Sequence, residues 1–290
     1  MRAILKKIVL YTLFLMLFLF VSIPISPANQ KKSFKDKTGQ LVHREFIYYD
    51  KEKSKKAELF WGKPEGSEPQ PAILYIHGHQ KNKSLGGRRY VMYGVIGGMV
   101  KLRNWVTASI SQPGYGKSDG PPDYCGPASQ NAVLAAINFL KSLSFVNPNK
   151  IALYGVSRGA ITASMVETKD SSLAAVVLIS GTYDLVNAYP TGLKGLDKNI
   201  MEEAGISKED LIARSAIYHV NSIKSPTLIL HGANDQRLDP KYAKSFAEKL
   251  IANKVPVRVK IFENTEHIIP IKLRNTEISP FLNKYMGPIN

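Results

Sequence analysis

A serine framed by glycines, Gly155-Val-Ser157-Arg-Gly159, follows the apolar run Ile151-Ala-Leu-Tyr154 and leads at once into the helix-forming stretch Ala160-Ile-Thr-Ala163. Strand, sharp turn and helix in that order lift a hydroxyl to the top of a sheet, on a backbone strained enough that its flanking positions favour glycine. The same turn leaves the backbone N–H of Arg158 at the positive end of the helix, where a developing oxyanion could accept from it. A serine hydroxyl is a weak nucleophile until a base takes its proton, and that base needs an acid to orient it. The chemistry to look for is nucleophilic attack on a carbonyl.

Six histidines compete for the role of base. His77 and His231 each precede a glycine at the end of an apolar run, His43 lies near the N-terminal edge and His219 in a helical stretch, and all four are read as structural. His267, in Glu263-Asn-Thr-Glu-His267, follows the last expected strand and is the base chosen here. For the acid, Thr227-Leu-Ile-Leu230 runs into His231-Gly-Ala-Asn-Asp235, which points to Asp235. Asp184 is the second candidate, and Asp239 reads as a surface or helix-capping residue. The other oxyanion donor is expected in Ile76-His77-Gly78-His79-Gln80, where Gly78 lets the backbone come close and leaves the N–H of His79 as donor. Gln80, next in line, and Tyr115, in Gln112-Pro-Gly-Tyr-Gly-Lys-Ser-Asp119, are read as pocket residues; a turn role suits Tyr115 equally well.

These residues must be held by a scaffold. Short apolar runs, Ala72 to Ile76, Val106 to Ile110, Ile151 to Tyr154, Ala175 to Ile179, Thr227 to Leu230 and Val257 to Phe262, have the length and β-branched content of buried strands. Between them Val133, Ile137 and Leu140 share one helical face, as do Ala243, Phe246, Ala247 and Leu250. Strands alternating with amphipathic helices imply an α/β fold with a mostly parallel central sheet covered on both faces. The expected division is 1–28 as export segment, 29–56 as a basic tether with an extended edge at Leu41 to Tyr49, and 57–290 as the α/β domain. Within that domain 186–225 is a small helical insertion, open to two readings: a lid over the strand ends, or a packed connection.

Composition narrows the classes. The chain has 290 residues, 44% of them hydrophobic and 21% charged, which suits a buried core and excludes collagen-like or wholly disordered chains. A single cysteine, Cys125, rules out an intramolecular disulfide framework and a cysteine-based zinc site. No cofactor or metal is called for by the chemistry above, and no cluster of histidines and carboxylates suggests one. The net charge of +16 would favour association with an anionic membrane or envelope surface, and no nucleic-acid-reading module accompanies it. The basic runs, including Lys81 to Arg89, are read as solvated faces. Arg2, Lys6 and Lys7 ahead of the apolar stretch Ile8 to Ile25, then Ser26-Pro-Ala28, have the order of a secretory signal, with an uncleaved anchor as the alternative. Either way the catalytic part is expected outside the cytoplasm. Cleavage would remove three of the sixteen charges and leave +13.

Taken together, Tyr75-Ile-His-Gly78, Pro113-Gly-Tyr-Gly-Lys-Ser118, Gly155-Val-Ser-Arg-Gly159 and the stretch Ile223 to Asp235 with Glu266-His267 resemble the α/β-hydrolase superfamily. The likeness is to its prolyl oligopeptidase-like and dienelactone hydrolase-like branch, over about Ala57 to Asn283. The resemblance implies the α/β-hydrolase fold, a Ser157, Asp235, His267 triad in that chain order, and hydrolysis of small esters or peptides through an acyl-enzyme. A non-catalytic binding protein on the same fold, or an acyltransferase with the same triad, are the alternatives. Ala160 stands where the branch's peptidases have a second glycine, and Arg158 is a bulky cation beside the serine. Their β-propeller is not expected ahead of Ala72, and their oxyanion tyrosine has no clear counterpart after Ile76.

Overall fold

The structure, a computed structural model, describes residues 32–288. The export segment expected over 1–28 lies outside them, and among the described residues no helix is long and apolar enough to cross a membrane. In chain order the elements are β1 (Lys32–Lys35), β2 (Leu41–Asp50), β3 (Lys55–Gly62), β4 (Gln70–Ile76), α1 (Arg88–Met92), α2 (Val95–Arg103) and β5 (Val106–Ile110). There follow α3 (Pro127–Lys141), β6 (Val146–Val156), α4 (Arg158–Glu167), β7 (Ala175–Ile179), α5 (Leu185–Ala188), α6 (Lys194–Ala204) and α7 (Lys208–Ile212). Last come β8 (Thr227–Gly232), α8 (Lys241–Ala252), β9 (Val257–Phe262) and α9 (Ile271–Met286).

The nine strands among the described residues join one sheet in the order β1-β2-β3-β5-β4-β6-β7-β8-β9. From β5 to β9 every pairing is parallel, whereas β1, β2 and β3 are added antiparallel at one edge. All six strands expected from the sequence are present; β1 and β3 were not anticipated, and the expected boundary at 56/57 falls inside β3. The reason lies at its start: Lys55 and Lys56 continue the basic stretch from Lys51, so β3 reads as tether although the six residues Ala57 to Gly62 are buried in succession.

Alternate residues of each central strand serve opposite faces. Leu74, Ile76, Leu153, Val176 and Leu178 pack under α3, α4 and α8, with Val133, Ile137, Leu140, Phe246 and Leu250 supplying the helical side. Ile73, Tyr75, Tyr154, Val177 and Ile179 face the other way, toward Phe281, Leu282 and Met286 of α9. Each such fully buried aliphatic or aromatic side chain contributes roughly 1.5–3 kcal/mol of transfer free energy, which is what fixes the helices on their sheet. Because β4 lies between β5 and β6, the chain leaves β4 on one side and returns to the other. The C-terminal ends of β4 and β6 therefore border the crevice where ligands bind in open α/β sheets. Both oxyanion candidates and Ser157 lie at those two strand ends.

Candidate active site

Ser157 joins β6 to α4 with φ 54° and ψ −121°, a conformation that L-residues adopt only under constraint. Its N–H donates to the carbonyl of Ile179 at 2.7 Å, and its carbonyl accepts from the N–H of Ala160 at 2.8 Å. The glycines follow from close approach. A side chain at 155 would meet the carbonyl oxygen of Gly159 at 2.3 Å, and one at 159 would meet that of Ile76 at 2.1 Å. At Gly78 a side chain would come within 2.9 Å of the Val156 carbonyl oxygen and 3.2 Å of the Ser157 Cβ. The loop after β4 is thus pressed against the serine turn at Gly78.

Asp235 and His267 come from the loops after β8 and β9. These loops are pressed together at Gly232, where a side chain would lie 2.3 Å from the carbonyl oxygens of both Thr265 and Glu266. The imidazole of His267 stands between the other two groups, its Nδ1 2.7 Å from Asp235 Oδ2 and its Nε2 3.0 Å from Ser157 Oγ. Burial alone would raise the Asp235 pKa, yet hydrogen bonds from His231 and His267, the charge of His267 and the N–H of Arg237 hold it well below the usual carboxylate range. An ionised carboxylate only accepts, so His267 donates Nδ1–H to it, and when the ring carries that proton alone Nε2 accepts from the serine hydroxyl. That is the tautomer a general base needs.

His231, read from the sequence as structural, touches Asp235 directly. It is fully buried, with Nε2 3.0 Å from Asp235 Oδ2 and 2.8 Å from the Leu238 carbonyl oxygen. The N–H groups of Arg237 and Leu238 hold the other oxygen, Oδ1, at 2.8 and 3.1 Å. Asp235 thereby has both oxygens held independently of its contact with His267. Asp184 is occupied elsewhere: it caps α5 through the N–H of Asn187 and accepts from Tyr218 Oη at 3.4 Å. Asp239 is paired with Lys241, in keeping with its surface reading.

The two residues read as pocket-lining are drawn into the protein. Gln80 is buried, and its Nε2 donates to the Gly86 carbonyl at 3.0 Å, closing the loop after β4. Tyr115 is buried beneath that loop, with its hydroxyl 3.4 Å from His79 Nδ1 and accepting from Arg158 Nη1 at 3.2 Å. Cys125 is buried too; its thiol donates to the carbonyl of Arg158 at 3.1 Å, and burial pushes its pKa up to about 12, so it is inert. Sequence reasoning missed the partner of the Arg158 guanidinium: Glu203 of α6, at 2.5 Å, whose other oxygen lies 3.5 Å from Lys83 Nζ. Nothing in the spacing of Arg158 and Glu203 announces that contact, which only the folded insertion creates.

The sequence profile of the prolyl oligopeptidase family matches residues 126–287. The chain belongs to the prolyl oligopeptidase family. Dipeptidyl peptidase family member 6 of Caenorhabditis elegans is 23% identical over 238 residues, which make up 76% of this chain and 32% of that protein. The uncharacterized peptidase YtmA of Bacillus subtilis is 26% identical over 174 residues, 58% of this chain and 66% of that one. The chain thus spans just under a third of one relative's length and just under two thirds of the other's. Among solved structures, a puromycin-hydrolyzing peptidase of Mycobacterium tuberculosis superposes with a TM-score of 0.74 at 18% identity, over 86% of this chain and 40% of that one. The Pyrococcus furiosus esterase Pf2001 superposes with a TM-score of 0.63 at 19% identity, over 85% of this chain and 93% of that one. The fold is the α/β-hydrolase fold, and the family is one of hydrolases, peptidases and esterases among them.

Proposed function

We propose that this chain is an exported serine hydrolase that cleaves ester or amide bonds through an acyl-enzyme, acting as a carboxylesterase or as a peptidase of its family. The observation that carries the reading is the His267 imidazole, hydrogen-bonded at one nitrogen to the Asp235 carboxylate and at the other to the Ser157 hydroxyl. His267 Nε2 takes the hydroxyl proton as Oγ bonds to the substrate carbonyl carbon, and Asp235 stabilises the imidazolium that forms. The N–H groups of Arg158 and His79 receive the oxyanion. When the tetrahedral species collapses, the bond to the leaving alcohol or amine breaks and that group takes the proton from Nε2. Water then gives a proton to Nε2 and attacks the acyl carbon; the acyl–Oγ bond breaks and the proton returns to Ser157.

The test is covalent and kinetic. A fluorophosphonate should label the protein at Ser157, and Ser157→Ala should abolish labelling and lower turnover of a 4-nitrophenyl ester by about 10⁴-fold or more. An unlabelled protein, or a variant that keeps most of its activity, would refute the reading. Aryl esters assayed beside aminoacyl amides decide between esterase and peptidase. Export rests on the charged-then-apolar leader of residues 1–28, and recovery of the domain from the cytoplasmic fraction of expressing cells would contradict it.

A further inference from the structure

Beside the serine lies a cation that acyl transfer does not require. Any residue after Ser157 provides a backbone N–H, and here that residue is an arginine. Its guanidinium is only 6% exposed, donates to Glu203 and to the Tyr115 hydroxyl, and lies 4.3 Å from the centre of the Tyr124 ring. A guanidinium so desolvated demands an anion, and Glu203 meets the demand from outside the catalytic loops, on α6 of the 186–225 insertion. The same carboxylate also faces Lys83 Nζ, which comes from the loop after β4. The two segments that supply the proposed oxyanion donors each send a cation to one carboxylate carried by a third segment. Arg237, two residues past Asp235, adds to the positive field: after burial, the charges of Arg158, Lys83 and Arg237 lower the His79 pKa, while that of Glu203 raises it.

We propose that Arg158 and Lys83 form an anion subsite which Glu203 fills when no substrate is bound, and that the substrates carry a carboxylate close to the scissile carbonyl that displaces Glu203. A carboxylate matches the site because the Arg158 Nη1 and the Lys83 ammonium already bind one there, at 2.5 and 3.5 Å. The inference rests on the serine hydrolase reading and supplies its substrate class. The insertion then acts as a selectivity element: a neutral substrate leaves Glu203 on Arg158, whereas an anionic one exchanges with it.

Two pairs of esters test this. Mono-4-nitrophenyl glutarate against 4-nitrophenyl butanoate places the carboxylate on the acyl side; 4-butanoyloxybenzoate against phenyl butanoate places it on the leaving group. In one pair the charged ester should have the higher kcat/KM. Glu203→Gln should widen that ratio about tenfold by removing the competing anion, and Lys83→Gln should narrow it about threefold to tenfold. Lys83 is half exposed, so its replacement keeps the fold even where an unpaired Arg158 harms it. Ratios that stay within twofold in both variants, or a narrowing with Glu203→Gln, overturn the proposal. A second readout needs no turnover: calorimetry should detect glutarate monomethyl ester binding to Ser157→Ala, about tenfold tighter once Glu203→Gln is added. Absence of that binding in both backgrounds sinks the subsite. Binding without hydrolysis of any ester leaves the subsite standing and removes the hydrolase reading, so the two failures are separable.

Discussion

The loops that leave β4 and β9 each carry a histidine with both ring nitrogens engaged, and the two rings do opposite things. His77 is sealed at 2% exposure; its Nε2 accepts from the N–H of Gln112 at 3.1 Å, and its Nδ1 donates to the Gly78 carbonyl at 2.8 Å. Gln112 returns the contact through Nε2 to the His77 carbonyl and takes the Thr162 hydroxyl on its Oε1, which ties the β4 loop to α4. Burial first of all, with nearby Arg158 and Arg89, lowers the His77 pKa to about 4 and keeps the ring neutral. His267 faces a carboxylate and a hydroxyl instead. A backbone amide or carbonyl fixes a proton in place, whereas a hydroxyl can give one up. The contrast teaches that what a strand-end histidine's nitrogens face decides whether its proton is fixed or has a group to exchange with.

The comparison can be broken from the His267 side. Asp235→Asn should leave the fold intact and cost about 10⁴-fold in kcat, because an amide no longer enforces the Nδ1–H tautomer; steady-state kinetics on an aryl ester measure it, and a loss below tenfold would detach Asp235 from the chemistry. His231→Gln removes one donor from Asp235 and should cost about tenfold in turnover, by loosening the acid without touching substrate. A KM effect with kcat unchanged would show that His231 does something else.

From the His77 side the expected effect is on stability. An unfolded histidine takes up its proton near pH 6.5, while His77 in the fold takes one only near pH 4. Between those values the unfolded chain is the more protonated, so this group's contribution to stability is intact above pH 6.5 and is lost as the pH falls toward 4. By pH 5 the loss amounts to about 2 kcal/mol. Urea denaturation at pH 7 and pH 5 should show His77→Gln losing less stability across that interval than the parent; equal losses would mean that His77 is not the group responsible. The smallest effect belongs to Asp184→Asn, which should leave kcat/KM within about twofold because that side chain is engaged in capping a helix and in a contact with Tyr218.

What the sequence revealed followed from where its information is local. Ser157, Asp235 and His267 each sit in a short motif at a strand end, so type and context together single them out as candidates. The parallel strands were legible because each is a short apolar run bounded by turn residues. β1 and β3 were obscured by lysines at 32, 35, 55 and 56, which made the edge of the sheet read as tether. Glu203 was illegible for another reason: it lies among charged residues of a surface-like helix, and only the folding of the insertion brings it to Arg158. Lys83 was hidden in a basic run whose other members gave no cause to single it out. Gln80 and Tyr115 were assigned from loop position alone, and position does not reveal which way a side chain turns.

Gly159 has a mechanical consequence. Where α4 crosses the end of β4, main chain rests on main chain, with no room for a methyl group between them. The spacing of the two proposed amide donors is therefore gauged by peptide geometry, which thermal motion of side chains does not alter. An alanine there would act as a wedge, prising the donors apart while hydroxyl, imidazole and carboxylate kept their own alignment.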